Sequence, residues 1–260
     1  MIARILAVVN QKGGVGKTTT SVNLAASLAA LERRVLLVDL DPQGNATMGS
    51  GIEKSQLTHS IYTVLLGQSN VEQANQQSPT GKFDVLPANR ELAGAEIELV
   101  DVQQRESRLK AALGALETSY DFIIIDCPPA LNLLTVNALT VAQAVLIPMQ
   151  CEYYALEGLS DLVQTLKKVR GHLNPSLEID GLVRTMFDPR NSLAQQVSAQ
   201  LEQHFGAKVY KTVIPRNIRL AEAPSYGKPV MYHDHASKGA QAYQALAVEL
   251  LERIENQKKD

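Results

Sequence analysis

The sequence predicts an α/β fold: a doubly wound, mostly parallel sheet flanked by helices. Three observations predict it. Strand-like apolar runs alternate with helical patterns along almost all of the 260 residues. Several runs, Phe122-Ile123-Ile124-Ile125 among them, are apolar without alternation, so both faces of those strands are expected to be covered. The first run, residues 5–9, leads through a glycine-rich loop into a helical pattern that opens at Lys17. Strand, glycine loop and helix N-terminus form the setting in which a phosphate group is held.

In chain order, strands are expected over residues 5–9, 35–39, 83–86, 122–126, 144–149, 179–187 and 211–214. Each is a short run of Val, Ile, Leu, Phe or Ala. Helices are expected over residues 17–31, 105–116, 133–141, 156–172, 193–205 and 238–254, where apolar positions recur at helical spacing. Residues 67–81 are polar and rich in Gln and Asn, and read as a surface loop. No repeat and no long linker interrupts the pattern, so residues 1–260 are expected to form one domain.

Composition bounds the function. Hydrophobic residues make up 45%, aromatics only 5%, and there is no Trp. Small and aliphatic side chains of this kind suit helices packed on a parallel sheet. The net charge of −2 gives no global sign of a nucleic-acid partner, so any such binding must be local. Cys127 and Cys151 form no C-x-x-C pair and are expected to be reduced thiols in a cytosolic protein. The first strand starts almost at residue 1, leaving no room for a signal peptide, and no apolar run reaches membrane-spanning length. A cytoplasmic protein is expected.

Three strands end in residues that carry chemistry, and in open α/β sheets ligands sit at the carboxyl ends of strands. The first ends in Asn10-Gln11-Lys12-Gly13-Gly14-Val15-Gly16-Lys17-Thr18-Thr19. Its glycines allow backbone N–H groups to surround phosphate oxygens, Lys17 adds a point charge, and the Thr18 hydroxyl suits Mg²⁺. The loop departs from G-x-x-x-x-G-K-[ST] at its first position, where Gln11 stands, and adds a second lysine, Lys12. The second strand ends in Asp39-Leu40-Asp41-Pro42-Gln43-Gly44-Asn45, and the third in Asp126-Cys127-Pro128-Pro129. Four apolar residues followed by Asp is the pattern of a carboxylate that holds Mg²⁺ through water. Asp41, on a loop broken by Pro42 and Gly44, is placed to orient water beside a γ-phosphate, although Asp-Pro also serves as plain turn chemistry.

The run K-G-G-x-G-K-T resembles the variant phosphate loop of the ParA, MinD and nitrogenase iron-protein group. The segment D-x-D-P-Q-G-N is close to the first switch of ParA proteins. The stretch from Ile214-Pro215-Arg216-Asn217 through Arg219 to Lys228-Pro229-Val230 is similar to ParA/Soj chromosome-partitioning ATPases almost residue for residue. The resemblance runs from about residue 2 to residue 250. It implies an ATPase that binds ATP and Mg²⁺ and works as an ATP-dependent homodimer. Lys12 would reach the partner subunit's nucleotide, and Lys12, Lys17 and Asp41 would carry catalysis. Lys12, Gly13, Gly14, Val15, Gly16, Lys17, Thr18 and Thr19 would hold the phosphates. Met186, Pro215 and Asn217 would line the base pocket, and Thr18, Asp39 and Asp126 would serve the metal. The absence of an N-K-x-D run favours ATP over GTP. Nonspecific double-stranded DNA is an implied partner, matched to Arg190 and Arg219. They lie in a segment with six Lys or Arg (184, 190, 208, 211, 216, 219) against two acids (188, 202), which also fits a solvated face. A ParB-type centromere-binding protein is the implied protein partner, and a nucleoid-associated location follows.

Three other readings are open to the sequence. A MinD-like membrane-associated positioning ATPase would need an amphipathic C-terminal helix, but residues 247–260 offer Leu250, Leu251 and Ile254 without Phe or Trp, and read as a helix packed on the domain and fraying at its end. An iron–sulfur carrier would need cysteines placed for a cluster, and Cys127 and Cys151 are not. A pure ATP-binding interaction module would have no use for Asp41.

Overall fold

The computed structural model describes residues 2–257. Eight strands form one sheet: β1 (Arg4–Val8), β2 (Val35–Asp39), β3 (Gln76–Gln77), β4 (Asp84–Leu86), β5 (Phe122–Asp126), β6 (Ala144–Gln150), β7 (Glu178–Phe187) and β8 (Val209–Pro215). Their order is β3-β4-β2-β5-β1-β6-β7-β8, and every pairing is parallel except β3 with β4. The helices are α1 (Lys17–Ala30), α2 (Asn45–Gly49), α3 (Ile61–Leu65), α4 (Val71–Ala74), α5 (Leu92–Glu98), α6 (Arg108–Leu113), α7 (Leu133–Val141), α8 (Ala155–His172), α9 (Ser192–Phe205), α10 (Ile218–Glu222), α11 (Val230–His233) and α12 (Lys238–Gln257).

The unalternated strands are covered on both faces, as their composition requires. Side chains alternate across a strand. Ile5 and Ala7 of β1 therefore join Leu36, Val38, Ile123, Ile125, Val145 and Ile147 in one core with α3 to α9. Leu6 and Val8 join Leu37, Ile124 and Leu146 in a second core with α1, α2 and α10 to α12. In α1 the buried Ala25 and Ala26 allow close approach to α12, whose Tyr243, Leu246 and Leu250 are buried against it.

The structure corrects the sequence reading in places. The expected loop at 67–81 contains α4 and β3. Asn70 and Gln73 exchange side-chain bonds with each other's backbone N–H, so two residues read as loop-forming make a helix start. The helix expected over 105–116 is α-helical only at Arg108–Leu113, with tighter 3-10 turns on either side and Gly114 at its end. The five-residue helices α2, α3 and α10 and the four-residue α11 are too short to show a period in sequence. β8 extends beyond the expected 211–214 at both ends. The end of the tail, residues 258–260, lies outside the described residues.

Candidate active site

β1, β2 and β5 end side by side, with Val8 opposite Asp126 and Asp39 opposite Asp126 in the ladders. The phosphate loop therefore sits beside both acidic strand ends. Gly16 precedes α1 with φ 88°, and neither a capping side chain nor an acidic residue occupies the first turn of the helix. Its leading N–H groups are thus free of side-chain partners, and the helix dipole adds partial positive charge there. A Cβ on Gly13 or Gly14 would meet nothing within 4 Å, so the loop encloses an open cradle. Thr185 of β7 donates its hydroxyl to the Val15 carbonyl at 2.7 Å and fixes the loop from outside.

Lys17 is buried and folds back so that Nζ donates to the Lys12 carbonyl at 3.2 Å. Burial lowers its pKa, while Asp126 works in the opposite direction. Asp126 is fully buried and accepts from Thr18 Oγ1 and Ser21 Oγ, each at 2.8 Å. Burial raises its pKa, as does the neighbouring Asp39 carboxylate. Two buried carboxylates this close favour a cation between or beside them. Among the described residues no three His, Cys, Asp or Glu side chains gather as a metal cage. A divalent ion here would draw on Thr18, phosphate oxygens and water, the donor set that suits Mg²⁺.

Asp39 also holds the segment that follows it. One oxygen accepts the Asp41 N–H at 3.2 Å, and the other accepts both the N–H and the hydroxyl of Thr47 at 2.7 Å. Its carboxylate thus braces the 41–47 segment, as Asp126 is braced by Thr18 and Ser21 of α1. Gly44 in that segment has φ 61°, and a Cβ there would lie 2.6 Å from the Ala88 carbonyl oxygen, so only glycine fits. Asp41 is half-buried and accepts the Gln43 N–H at 2.9 Å, which orients it in a short turn.

Lys12 pairs with Glu152 in the loop after β6. Both side chains are about half exposed, so the lysine is held at the surface of its own chain and can be released. Sequence reasoning missed Glu152. Its only signal was its position just past the carboxyl end of a central strand.

Met186, Pro215 and Asn217 do come together. With Gly16, Thr19, Ile214, Ile218 and Tyr243 they line a largely apolar cavity of about 320 Å³ beside the loop. Met186 has φ 50°, an uncommon backbone for a non-glycine residue, at the end of β7. Asn217 Oδ1 accepts the Arg219 N–H at 3.0 Å and caps α10. Tyr243 was not anticipated: in sequence it belongs to the apolar stripe of α12, but its hydroxyl meets Thr20 Oγ1 at 3.1 Å. A larger cavity of about 590 Å³ lies between β8, α9 and α12. There Arg184 donates to Glu202 of α9 and to the Tyr210 carbonyl of β8, and Glu249 of α12 accepts from the Lys211 N–H and from Arg253.

Phe187 pairs with Pro215 across β7 and β8, so the segments carrying Arg190 and Arg219 leave the sheet side by side. Arg190 is 89% exposed and pairs with Asp188, whose carboxyl it pulls down to about 2. Arg219 pairs with Glu222 and Asp234. Arg184, counted in the basic segment, is buried and donates to Ser198 and the Tyr210 carbonyl, so it forms no part of a surface patch. Cys127 and Cys151 are buried free thiols. Among the described residues no helix is long and apolar enough to cross a membrane.

The family model for the AAA domain matches residues 3–179. The chain is 55% identical over 249 residues to the sporulation initiation inhibitor protein Soj of Bacillus subtilis, covering 96% of this chain and 98% of that one. It is 52% identical over 252 residues to the chromosome partitioning protein ParA of Caulobacter vibrioides, covering 96% and 94%. Among solved structures it is similar to cobyrinic acid a,c-diamide synthase from Mycobacterium smegmatis with bound ATP analogue and magnesium. That match has a TM-score of 0.86 at 38% identity and covers 98% of this chain and 96% of the other.

Proposed function

The chain belongs to the Soj/ParA family of chromosome-partitioning ATPases with an AAA-type phosphate-loop domain, and from that premise we propose that it is an ATP-gated DNA-partitioning switch. In this reading ATP and Mg²⁺ occupy the cradle, two subunits join face to face, the dimer binds DNA without sequence preference, and hydrolysis returns monomers. A ParB-type partner stimulates the hydrolysis and supplies contact with a specific DNA site. The observation that carries the reading is the arrangement at the ends of β1, β2 and β5: an uncapped helix start, Lys17 and Asp41 at one open cradle, with Lys12 held on Glu152 at the surface.

Bound Mg²⁺ would neutralise charge on the phosphate oxygens. The chain's own groups do the rest. The loop N–H groups and Lys17 hold the phosphates and stabilise the charge that develops on them. Thr18, Asp126 and Asp39 are the residues to hold the ion, directly or through water, and Asp39 also braces the switch segment. Asp41 orients the water whose oxygen bonds to the γ-phosphorus as the bond to the β–γ bridging oxygen breaks. Lys12 leaves Glu152 to contact the partner's phosphates, which makes dimerisation depend on the nucleotide. Met186, Pro215 and Asn217 receive the base. Arg190 and Arg219 contact DNA phosphates. The MinD-like reading is less favoured. Leu250 is buried and Leu251 and Ile254 pack on the second core, so the apolar face of α12 is already used by the domain.

The test is Arg219→Glu assayed with ATP on random-sequence duplex DNA. The reading expects DNA binding to be lost while ATP binding is kept. Full retention of DNA binding would place the DNA contact elsewhere.

A further inference from the structure

Arg219 is already engaged by two carboxylates. A guanidinium binds phosphate or carboxylate with two adjacent N–H groups, along one of its edges. At Arg219 one nitrogen of each edge faces a carboxylate. Nη1 donates to Glu222 Oε2 at 2.8 Å, and Nε meets Asp234 Oδ2 at 3.1 Å. One positive charge is thus held by two carboxylates, while Arg190 faces only Asp188. The cluster around Arg219 carries a net negative charge when His233, 3.7 Å from Glu222, is neutral. A phosphate approaching it competes with two carboxylates for one cation.

The two acids come from different elements. Glu222 lies one turn further along α10. Asp234 follows α11, where its N–H donates to the Val230 carbonyl and its own carbonyl accepts from Ser237. The preceding residue, His233, stacks on Tyr226 with ring centroids 4.7 Å apart. Asp234 therefore belongs to a packed corner, and a helix neighbour alone does not account for the contact. On its other side α10 lines the base cavity through Ile218, Leu220 and Ala221. The same five-residue helix thus lines the cavity and carries Arg219 and Glu222 of the ion cluster.

We propose that Glu222 and Asp234 form an acidic clamp on Arg219 that competes with DNA phosphate and holds DNA affinity down until it opens. The proposal rests on the DNA-binding reading of Arg219. Both pairs are half exposed to solvent, where ion pairs are weak, so a phosphate can displace the acids at small cost. The clamp thereby sets how strongly the arginine contributes, and leaves the contact reversible.

The experiment compares wild type, the double variant Glu222→Gln/Asp234→Asn and the triple variant that adds Arg219→Ala. Each is titrated with random-sequence duplex DNA in the presence of ATP across a salt series. The double variant should bind roughly tenfold more tightly, with a log–log salt slope steeper by about one as the freed guanidinium engages a phosphate. The triple variant should lose that gain. Affinity in the double variant equal to or below wild type, with wild type binding DNA, overturns the clamp and leaves the DNA reading intact. A gain that persists in the triple variant also overturns it, because net charge alone would then explain the effect. If neither wild type nor the double variant binds at low salt, the DNA reading itself falls and the clamp falls with it.

Discussion

The two ends of the candidate site are built on different principles. At the phosphate end Lys17, Asp39 and Asp126 are buried: Lys17 donates to the Lys12 carbonyl of the loop, Asp126 accepts from Thr18 and Ser21 of α1, and Asp39 accepts from Asp41 and from Thr47 of α2. At the base and arginine end the segments are short helices, the β7–β8 ladder shifts register, Met186 has a positive φ, and the charged side chains pair on the surface. Buried polar groups with fixed partners give a preorganised site for chemistry. Surface ion pairs of little net strength exchange partners easily. The contrast suits the proposed division, with reaction at one end and reversible recognition at the other.

Lys17→Ala attacks the preorganised end and should have the largest effect. ATP turnover should fall on the order of 10²–10³-fold, as when a preorganised charge donor is removed, while the thermal midpoint changes little. A steady-state phosphate-release assay with a melting curve checks both. Turnover near wild type would leave the cradle without a catalytic lysine.

Asp41→Ala should separate binding from chemistry at the same end. The single-turnover rate should drop about 10²-fold with ATP affinity retained, because a water-orienting group acts on the reaction step. A parallel loss of ATP affinity would mean that Asp41 supports the loop and leaves the water alone.

Lys12→Ala tests the boundary between the ends. The dimer formed with ATP should dissociate roughly tenfold more readily, on losing a charge-assisted contact, with the monomer still binding nucleotide. Sedimentation with ATP and with ADP measures this. An unchanged dimer would confine Lys12 to its pairing with Glu152.

The smallest effect expected is at the cysteines. Burial raises the Cys127 thiol well above its usual range and pushes Cys151 up to about 11, so neither is ionised near pH 8. A thiol reagent at that pH should label the native protein slowly and both residues quickly in denaturant. Rapid labelling of native Cys127 would show that the phosphate end opens more than its packing implies.

The same contrast governs how much could be read from the sequence. The phosphate end is local: strand, glycine loop, Lys17 and helix follow one another, and four apolar residues before Asp126 mark a strand end. Spacing alone placed them. What spacing did not show is how the acids divide the work, since the commitment of Asp39 to Thr47 depends on a turn through Gly44 that only the folded loop reveals. The recognition end is assembled from segments far apart in the chain. Met186, Pro215 and Asn217 came through family resemblance, with no period or motif of their own to mark them as a pocket. Tyr243 was hidden because it obeys the apolar spacing of α12, and Glu152 because a single acid in a loop looks like any solvated charge. Arg184 misled for the opposite reason: a cation in a basic run reads as surface, yet the bulged β7–β8 ladder gives it buried partners.

The most direct test of the nucleotide-gated DNA switch is binding of random-sequence duplex DNA by the Asp41→Ala protein, with ATP and with ADP, across a salt series. Tight binding with ATP that weakens steeply with salt, and little binding with ADP, is the result predicted. Equal binding in the two nucleotides, or none in either, would contradict it.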